Sequence, residues 1–476
     1  MFEKTTEALL VTPLLPMNTG LATYAMRVLG SSSDFIDWTV AYPQGSDPET
    51  LPDGMKSIPI DRLETGNIPA ARIFQIGNST HCFPVVQALY KFGGTVLLHE
   101  TVLHHMLRYC YLESNRVEEY RRELKFCFGP SAEIAEKELS DKRLSVMEYD
   151  IKLKNYPLIG RVLNSAHSAV CLNSYAASIL SRSFPEGRVI TIGHPLSKLP
   201  PLETVRKPYP VCFGMIGTNH PGRNLDSVIE AVALLRKEIP DSGLLLVGSG
   251  YPEELPEWVT ATGRLDEREY QSWIRTLDYV FDVRYPTCGE TSGSLLEAMR
   301  AGIPAVVTAA GPFINMPSDA LLRVPHDSIV QGIRSAVLLL EENSELRQSI
   351  SEKAVSYALA EGSESRLLED WKRILRLAQD TQEGVKPDFN STSLSPAWHE
   401  PPEGFTRNLI TDPVTWEFSG NAKIEGPENS SGALVTVWGE GTAGDIELES
   451  KPSVLRIDDN VIHFRGIGWV SNVLWE

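Results

Sequence analysis

The 476-residue sequence has no run of 18 or more apolar residues, so nothing in it reads as a membrane span. It has no CxxC pair either. Its six cysteines, at 82, 110, 127, 171, 212 and 288, are scattered, a pattern of reduced thiols rather than of a disulfide framework or a zinc site. Positive charge is in deficit: 44 Lys and Arg stand against 62 Asp and Glu, a formal charge of −18. That balance excludes nucleic acid as the main partner, since binding phosphate backbones needs a net basic surface. Common nucleotide and hydrolase signatures are also missing. There is no GxxxxGK[ST] and no GxSxG, and "GSGYPE" lacks the third glycine of a dinucleotide fingerprint. "HETVLHH" imitates a zincin motif, but His104 follows His99 by five residues, not four. Residues five apart lie about 140° apart around a helix, so the two rings do not share a metal. No metal site is expected.

What remains is an ordinary globular composition, 42% hydrophobic and 22% charged, long enough for two to four domains at typical sizes. The opening "MFEKTTEALLVTPLLP" places acidic residues before a short apolar run broken by prolines, which fits a first β-strand better than a signal peptide. A cytoplasmic chain, at most peripheral at a membrane, is expected.

Two stretches alternate strands with helices. In residues 1–195 the strand-like runs are "ALLVTP", "ARIFQIG", "TVLLH", "SAVCLN" and "RVITIG", with "GLATYAMRVL" and "SYAASILSRSF" as helices between them. In residues 205–378 "VCFGMIG", "GLLLVG", "YVFDV" and "PAVVT" alternate with "LDSVIEAVALLRK", "REYQSWIRTL", "GSLLEAMRA" and "SIVQGIRSAVLLLEE". Continuous apolar strands separated by helices predict parallel sheets covered on both faces. The fold class is therefore α/β, two Rossmann-like domains facing a cleft. A charged helical insertion interrupts the first domain at about 104–165. It reads as a solvated elaboration or as an arm beside the cleft. Residues 379–404 read as a linker, and 405–476 as a small β-rich module. Five of the nine tryptophans (398, 416, 438, 469 and 475) fall after residue 390, as a β core or as sugar-stacking surfaces. This module is also where an oligomer or a partner subunit would attach.

The segment "YVFDVRYPTCGETSGSLLEAMRAG" reads as strand, loop and helix. Gly289 and Gly293 let the loop turn its N–H groups outward, and the following helix adds unsatisfied donors and a positive dipole end. At the carboxyl end of a parallel strand this is an anion site. Glu297 is either the third helical residue of a capping box, Ser294-x-x-Glu297, or an acceptor for a ribose diol. Arg223, in "GMIGTNHPGRNLDSVIEA", stands before another helix of the same domain and would reach a phosphate from the other side.

In these pieces and their order the chain resembles the family 4 glycosyltransferases, retaining enzymes of GT-B architecture. The pieces are "LLVTPLLPMNTGLATYAMRVL", "FQIGNSTHCF", "TVLLHETVLHH", "SAVCLNSYAASIL", "FGMIGTNHPGRNLDSVIEAV", "LLLVGSG" and "GETSGSLLEAMRAGIPAVVT". The resemblance implies a nucleotide-sugar donor as substrate, no cofactor and no obligatory metal. It also implies a glycan, lipid-linked or protein acceptor entering from the first domain. It assigns the ribose to Glu297, the donor pyrophosphate to Arg223, close approach of backbone to phosphate to Gly20, and a place near the sugar to His99. The family's paired glutamates stand seven residues apart, which points to Gly289, so Glu290 is one position late. Either the loop shifts to put Glu290 on the sugar, or the backbone and hydroxyls of Glu290, Thr291 and Ser292 bind it. Catalysis is expected to rest on Arg223, His99 and Glu290. Arg223→Ala and Glu297→Ala are each expected to lower transfer in a folded protein. A non-catalytic GT-B scaffold subunit and a sugar-nucleotide epimerase are the alternatives.

Overall fold

The computed structural model describes residues 6–379 apart from 18, 66–67, 141–150, 154, 185 and 202, together with strands between 416 and 471. Two wholly parallel sheets carry the first 379 residues. The first has the order β3 (Lys56–Pro59), β2 (Ile36–Tyr42), β1 (Thr6–Val11), β4 (Ala71–Ile76), β5 (Gly94–Leu98), β6 (Ala166–Cys171) and β7 (Val189–Thr191), and the second β10 (Val259–Ala261), β9 (Ser242–Val247), β8 (Val211–Ile216), β11 (Tyr279–Asp282), β12 (Ala305–Thr308) and β13 (Leu322–Val324). In each sheet the order reverses beside the first strand of the unit. One switch point lies between β1 (Thr6–Val11) and β4 (Ala71–Ile76), the other between β8 (Val211–Ile216) and β11 (Tyr279–Asp282). Ligands of open parallel sheets bind outside the strand carboxyl ends at such points.

The burial pattern explains why these runs form strands. In β1, Leu9 and Val11 join one core cluster while Ala8 and Leu10 join the cluster on the opposite face. In the second sheet Phe213, Leu244 and Phe281 point to one face, and Cys212, Leu245 and Val280 to the other. Both sheets are thus covered on two sides, and an isolated charge in either is costly.

The expected insertion is helical where it is described, over His104–Glu113, Val117–Phe128 and Ala132–Leu139. It is more than a solvated elaboration: Leu107, Tyr111, Tyr120, Leu124 and Ala135 are buried in the first unit's core. The helix Glu364–Gln379 belongs to the second unit by sequence but packs on the first sheet. Trp371, Ile374 and Leu375 enter the cluster around Leu10 and Val40, with the Trp371 ring edge-on to Trp38 at 5.3 Å. The chain therefore crosses between units twice, and the two crossings touch. A Cβ on Gly193 would lie 2.2 Å from the Glu361 carbonyl oxygen, and one on Gly362 would lie 2.5 Å from Leu196 Cγ.

Beyond residue 415 the strands pair antiparallel in two small sheets, one of β14 (Trp416–Ser419), β19 (Val461–Arg465) and β18 (Val454–Asp458), the other of β15 (Asn421–Glu425), β16 (Leu434–Gly439), β17 (Thr442–Leu448) and β20 (Val470–Ser471). The linker from residue 380 and the side chains of the late tryptophans lie outside the described residues. Among the described residues no helix is long and apolar enough to cross a membrane.

Candidate donor site

Two loops meet at the second switch point. The loop after β8 leaves through Gly217, at φ +114, and ends in a 3-10 turn, Pro221–Arg223. Asn224 follows in the left-handed region and caps nothing with its side chain; instead its Nδ2 donates to the carbonyls of Val283 (2.8 Å) and Tyr285 (3.1 Å). The Tyr285 N–H returns a bond to the Gly222 carbonyl at 2.8 Å. These bonds fasten the β8 loop to the β11 loop and fix where Arg223 sits.

Arg223 is buried, and its Nη2 lies 3.4 Å from Asp282 Oδ1. The same oxygen takes Arg284 Nε at 2.7 Å, so one buried carboxylate faces two guanidinium groups. Burial opposes ionisation of Asp282, but Arg284 and Arg223 together hold its pKa below the usual carboxylate range. Burial pulls Arg223 the other way, below the usual arginine value, with Asp282 opposing and Arg284 adding to the shift. Arg223 Nε and Asp282 Oδ2 are buried without hydrogen-bond partners. A buried N–H of this kind is costly unless something accepts from it.

The helix Gly293–Arg300 begins beside this group. Its N-cap is Ser292, whose hydroxyl accepts from the Leu295 N–H at 3.2 Å and from Arg284 Nη2 at 2.8 Å. The capping box that Ser294 and Glu297 would form is therefore absent, because the helix starts two residues earlier than that motif requires. A Cβ built on Gly217 would lie 2.7 Å from Arg223 Nη1 and 3.8 Å from Ser294 Oγ. Gly217 thus borders both the Arg223 guanidinium and the start of the helix. Sequence reasoning passed over Gly217, Asn224, Asp282 and Arg284. A charged "FDVR" at the end of an apolar strand was the available signal for the last two.

Glu290 turns back on its own loop. Its Oε2 accepts from the Cys288 N–H at 2.7 Å and from Thr287 Oγ1 at 2.9 Å, and its Oε1 lies 3.4 Å from Arg284 Nη1. Thr291 Oγ1 donates to the Leu172 carbonyl at 3.0 Å, across to the first unit. Gly289, at φ +80, faces the same unit: a Cβ there would lie 2.5 Å from Thr101 Oγ1. Gly293 is tight for a similar reason, 2.8 Å from His194 Cε1.

Glu297 lies deeper than a surface ligand would. Its side chain is 1% exposed, and Oε1 accepts from the Ser197 N–H (2.9 Å) and hydroxyl (2.8 Å). Arg27, from the first unit, lies 3.4 Å from the same oxygen, and Arg300 pairs with Oε2. The carboxylate is therefore also a structural joint: removing it would take the carboxylate from Arg300 and leave Arg27 with its 3.5 Å contact to Glu267.

In the first unit Gly20 opens the helix Gly20–Ser32, is exposed, and a Cβ on it would meet nothing within 4 Å. Gly77 brings this end of the helix to His99, its Cβ position lying 3.1 Å from Leu21 Cδ1 and 3.5 Å from His99 Cβ. His99 Nε2 is buried without a partner, and its ring stands edge-on to Tyr24 at 4.6 Å. Burial, with His194 adding, pushes its pKa down to about 3, so His99 is a neutral ring at ordinary pH. His194 is pushed down to about 4, by burial and then by Arg27, and its Nδ1 donates to the Pro195 carbonyl at 3.0 Å. The structure thus brings Arg223, Ser292 and Gly293 together, keeps Gly20 and His99 on the first unit, and uses Glu290 and Thr291 to hold the loop. Among the described residues no group of three His, Cys, Asp or Glu is arranged to hold a metal.

Comparison with known proteins agrees with this frame. No curated protein matches the chain in sequence. Among solved structures, sucrose-phosphate synthase from Thermosynechococcus elongatus aligns with a TM-score of 0.51 at 14% identity, over 78% of this chain and 98% of that one. An Anabaena protein solved with UDP and glucose aligns at 0.49 and 12% identity, over 78% and 99%. The C-terminal domain of a glycosyl transferase group 1 family protein from Francisella tularensis aligns at 0.28 and 23% identity, over 32% and 86%. Residues 208–343 match the family model described as glycosyl transferases group 1. They include both loops of the candidate site, and the chain accordingly carries a group 1 glycosyl transferase domain within a GT-B frame.

Proposed function

We propose that this chain is a retaining glycosyltransferase of family 4 type that moves a hexose from a nucleoside-diphosphate sugar to a glycan, lipid-linked or protein acceptor. The observation that carries the reading is Arg223: a buried guanidinium with an unpartnered Nε, beside a helix N-terminus at the switch point of a parallel sheet. Such a group wants an anion, and a diphosphate meets both the guanidinium and the helix end.

In this reading the bond from the sugar C1 to the diphosphate oxygen breaks, and the acceptor oxygen bonds to C1 on the same face. The acceptor proton passes to the departing phosphate. Arg223 and the amides at Gly293 stabilise the charge growing on that phosphate, the kind of electrostatic term that dominates many enzymes. Glu297 takes the ribose hydroxyls and shares its carboxylate with Arg300 and Arg27. Gly20 lets backbone approach the donor phosphate, with open space where its Cβ would stand. Neutral His99 stands on the acceptor side as a hydrogen-bonding group, not as a cation. The sugar is held by the backbone of residues 290–292 in preference to the Glu290 carboxylate, which is engaged in its own loop.

The test is donor turnover by the purified chain, with Arg223→Ala as the informative variant. Loss of one preorganised donor to the leaving group is expected to slow turnover about 100- to 1000-fold. A rate within about threefold of the wild type would remove Arg223 from the site.

A further inference from the structure

The donor loop of the second unit is held by the first. The Thr101 N–H and its Oγ1 both donate to the Cys288 carbonyl, each at 2.9 Å. Asn173 Nδ2 donates to the Gly289 carbonyl at 3.0 Å and to Thr291 Oγ1 at 2.8 Å, and Thr291 Oγ1 in turn donates to the Leu172 carbonyl. Thr101 follows β5 (Gly94–Leu98) and Asn173 follows β6 (Ala166–Cys171), so both come from strand ends of the first sheet. Gly289 is shaped for this contact, because a Cβ there would collide with Thr101 Oγ1. Every hydrogen bond just named crosses between units, and they converge on Cys288, Gly289 and Thr291, in the loop that leads into the helix at the candidate site.

We propose that Asn173 and Thr101 are positioning residues that set the donor loop from across the cleft, so that the loop's geometry depends on the first unit. This rests on the donor reading above. Two consequences follow from the geometry. Nucleotide binding draws on groups of the second unit, chiefly Arg223 and the helix end, and is largely independent of the contact. Turnover requires the loop in its docked position, and it falls when the contact is lost.

Asn173 allows a clean separation of roles. Its Oδ1 caps the helix Ser174–Leu180 by accepting from the Ala176 N–H at 2.7 Å, while its Nδ2 alone reaches the loop. Asn173→Asp keeps the cap, because aspartate is an equally good N-cap, and removes both donated bonds. It also sets a carboxylate against the Gly289 carbonyl. Thr101→Val removes only the Oγ1 bond to Cys288 and serves as the second, milder variant.

The experiment uses the full chain, calorimetric titration with UDP and GDP, and hydrolysis of UDP-glucose, UDP-N-acetylglucosamine and GDP-mannose. Expected for Asn173→Asp is a nucleotide dissociation constant within about threefold of the wild type and a kcat about 10- to 100-fold lower, from two lost hydrogen bonds. Thr101→Val is expected to lower kcat about threefold to tenfold, again with nucleotide binding kept. Wild-type kcat in both variants, with nucleotide bound, would overturn the positioning role. A parallel loss of nucleotide affinity and kcat would also overturn it, since it would make these residues part of the nucleotide site. Failure of the wild type to bind either nucleotide or to cleave any donor would instead remove the donor reading itself.

Discussion

Glu290→Gln separates two roles for a carboxylate that the sequence left undecided. In the structure its Oε2 accepts from the Cys288 N–H and Thr287 Oγ1, its Oε1 faces Arg284, and the side chain is 17% exposed. Glutamine has the same shape and still offers one carbonyl oxygen, but it loses the charge. Hydrogen bonds to a charged group contribute about 1.5–3 kcal/mol each against about 0.5–1.5 for neutral ones. Weakening two of them by about 1 kcal/mol each gives a loss of about 2 kcal/mol. The long Arg284 contact adds little, since Arg284 keeps Asp282 and Ser292. In a cooperative unit of about 150–250 residues, each kcal/mol moves Tm by about 2–4 °C, so Tm should fall by about 4–8 °C. The assay is scanning calorimetry of the full chain without nucleotide, followed by donor KM. An unchanged Tm with a raised KM would refute the loop role and return Glu290 to the sugar.

Two further perturbations test the frame. His99 and His104 are pushed by burial to about 3, and His194 to about 4. Between roughly pH 4 and 6.5 the unfolded chain binds more protons at these rings than the native one, so stability rises with pH across that window, by up to about 1.4 kcal/mol per unit for each ring. The urea midpoint should therefore drop from pH 6.5 to pH 4.5, and equal midpoints would contradict neutral buried rings. Trp371→Ala empties a fully buried site against Trp38 and is expected to cost about 3–5 kcal/mol, read as a lowered urea midpoint. A change below about 1 kcal/mol would show that the terminal helix does not complete the first unit's core.

The two-sheet frame was legible because its central strands are buried on both faces and read as continuous apolar runs. The strands β2 (Ile36–Tyr42), β3 (Lys56–Pro59), β10 (Val259–Ala261) and β13 (Leu322–Val324) were not. β3, β10 and β13 are short strands at the sheet edges, and β2, though seven residues long and inside the sheet, alternates polar with apolar residues in IDWTVAY. The loop before Gly293 was legible as an anion site from its glycines, yet Gly289 turned out to face Thr101 of the other unit. Contacts between units leave no local signature: Asn173 reads as an N-cap, which it is, and nothing near it announces Gly289. Glu297 illustrates the same limit. Its isolated position suggested a ligand-binding carboxylate, whereas its bonds to Ser197 and its contact with Arg27 depend on distant parts of the chain, and only Arg300, three residues on, is local. Glu297→Ala therefore should not leave a fully stable protein, because unpairing buried charges costs about 3–5 kcal/mol. Glu297→Gln is the variant suited to testing the ribose assignment.

The central claim is that Arg223 and the start of the helix Gly293–Arg300 receive the diphosphate of a nucleotide sugar. The most direct measurement is a thermal-shift panel of nucleoside diphosphates and their sugars on the wild type and on Arg223→Ala. At a concentration about 100 times its dissociation constant, a bound nucleotide should stabilise the wild type by about 2.7 kcal/mol. The account expects one nucleobase to produce that shift and Arg223→Ala to abolish it. A panel with no shift in the wild type, or a shift that Arg223→Ala leaves intact, would contradict it.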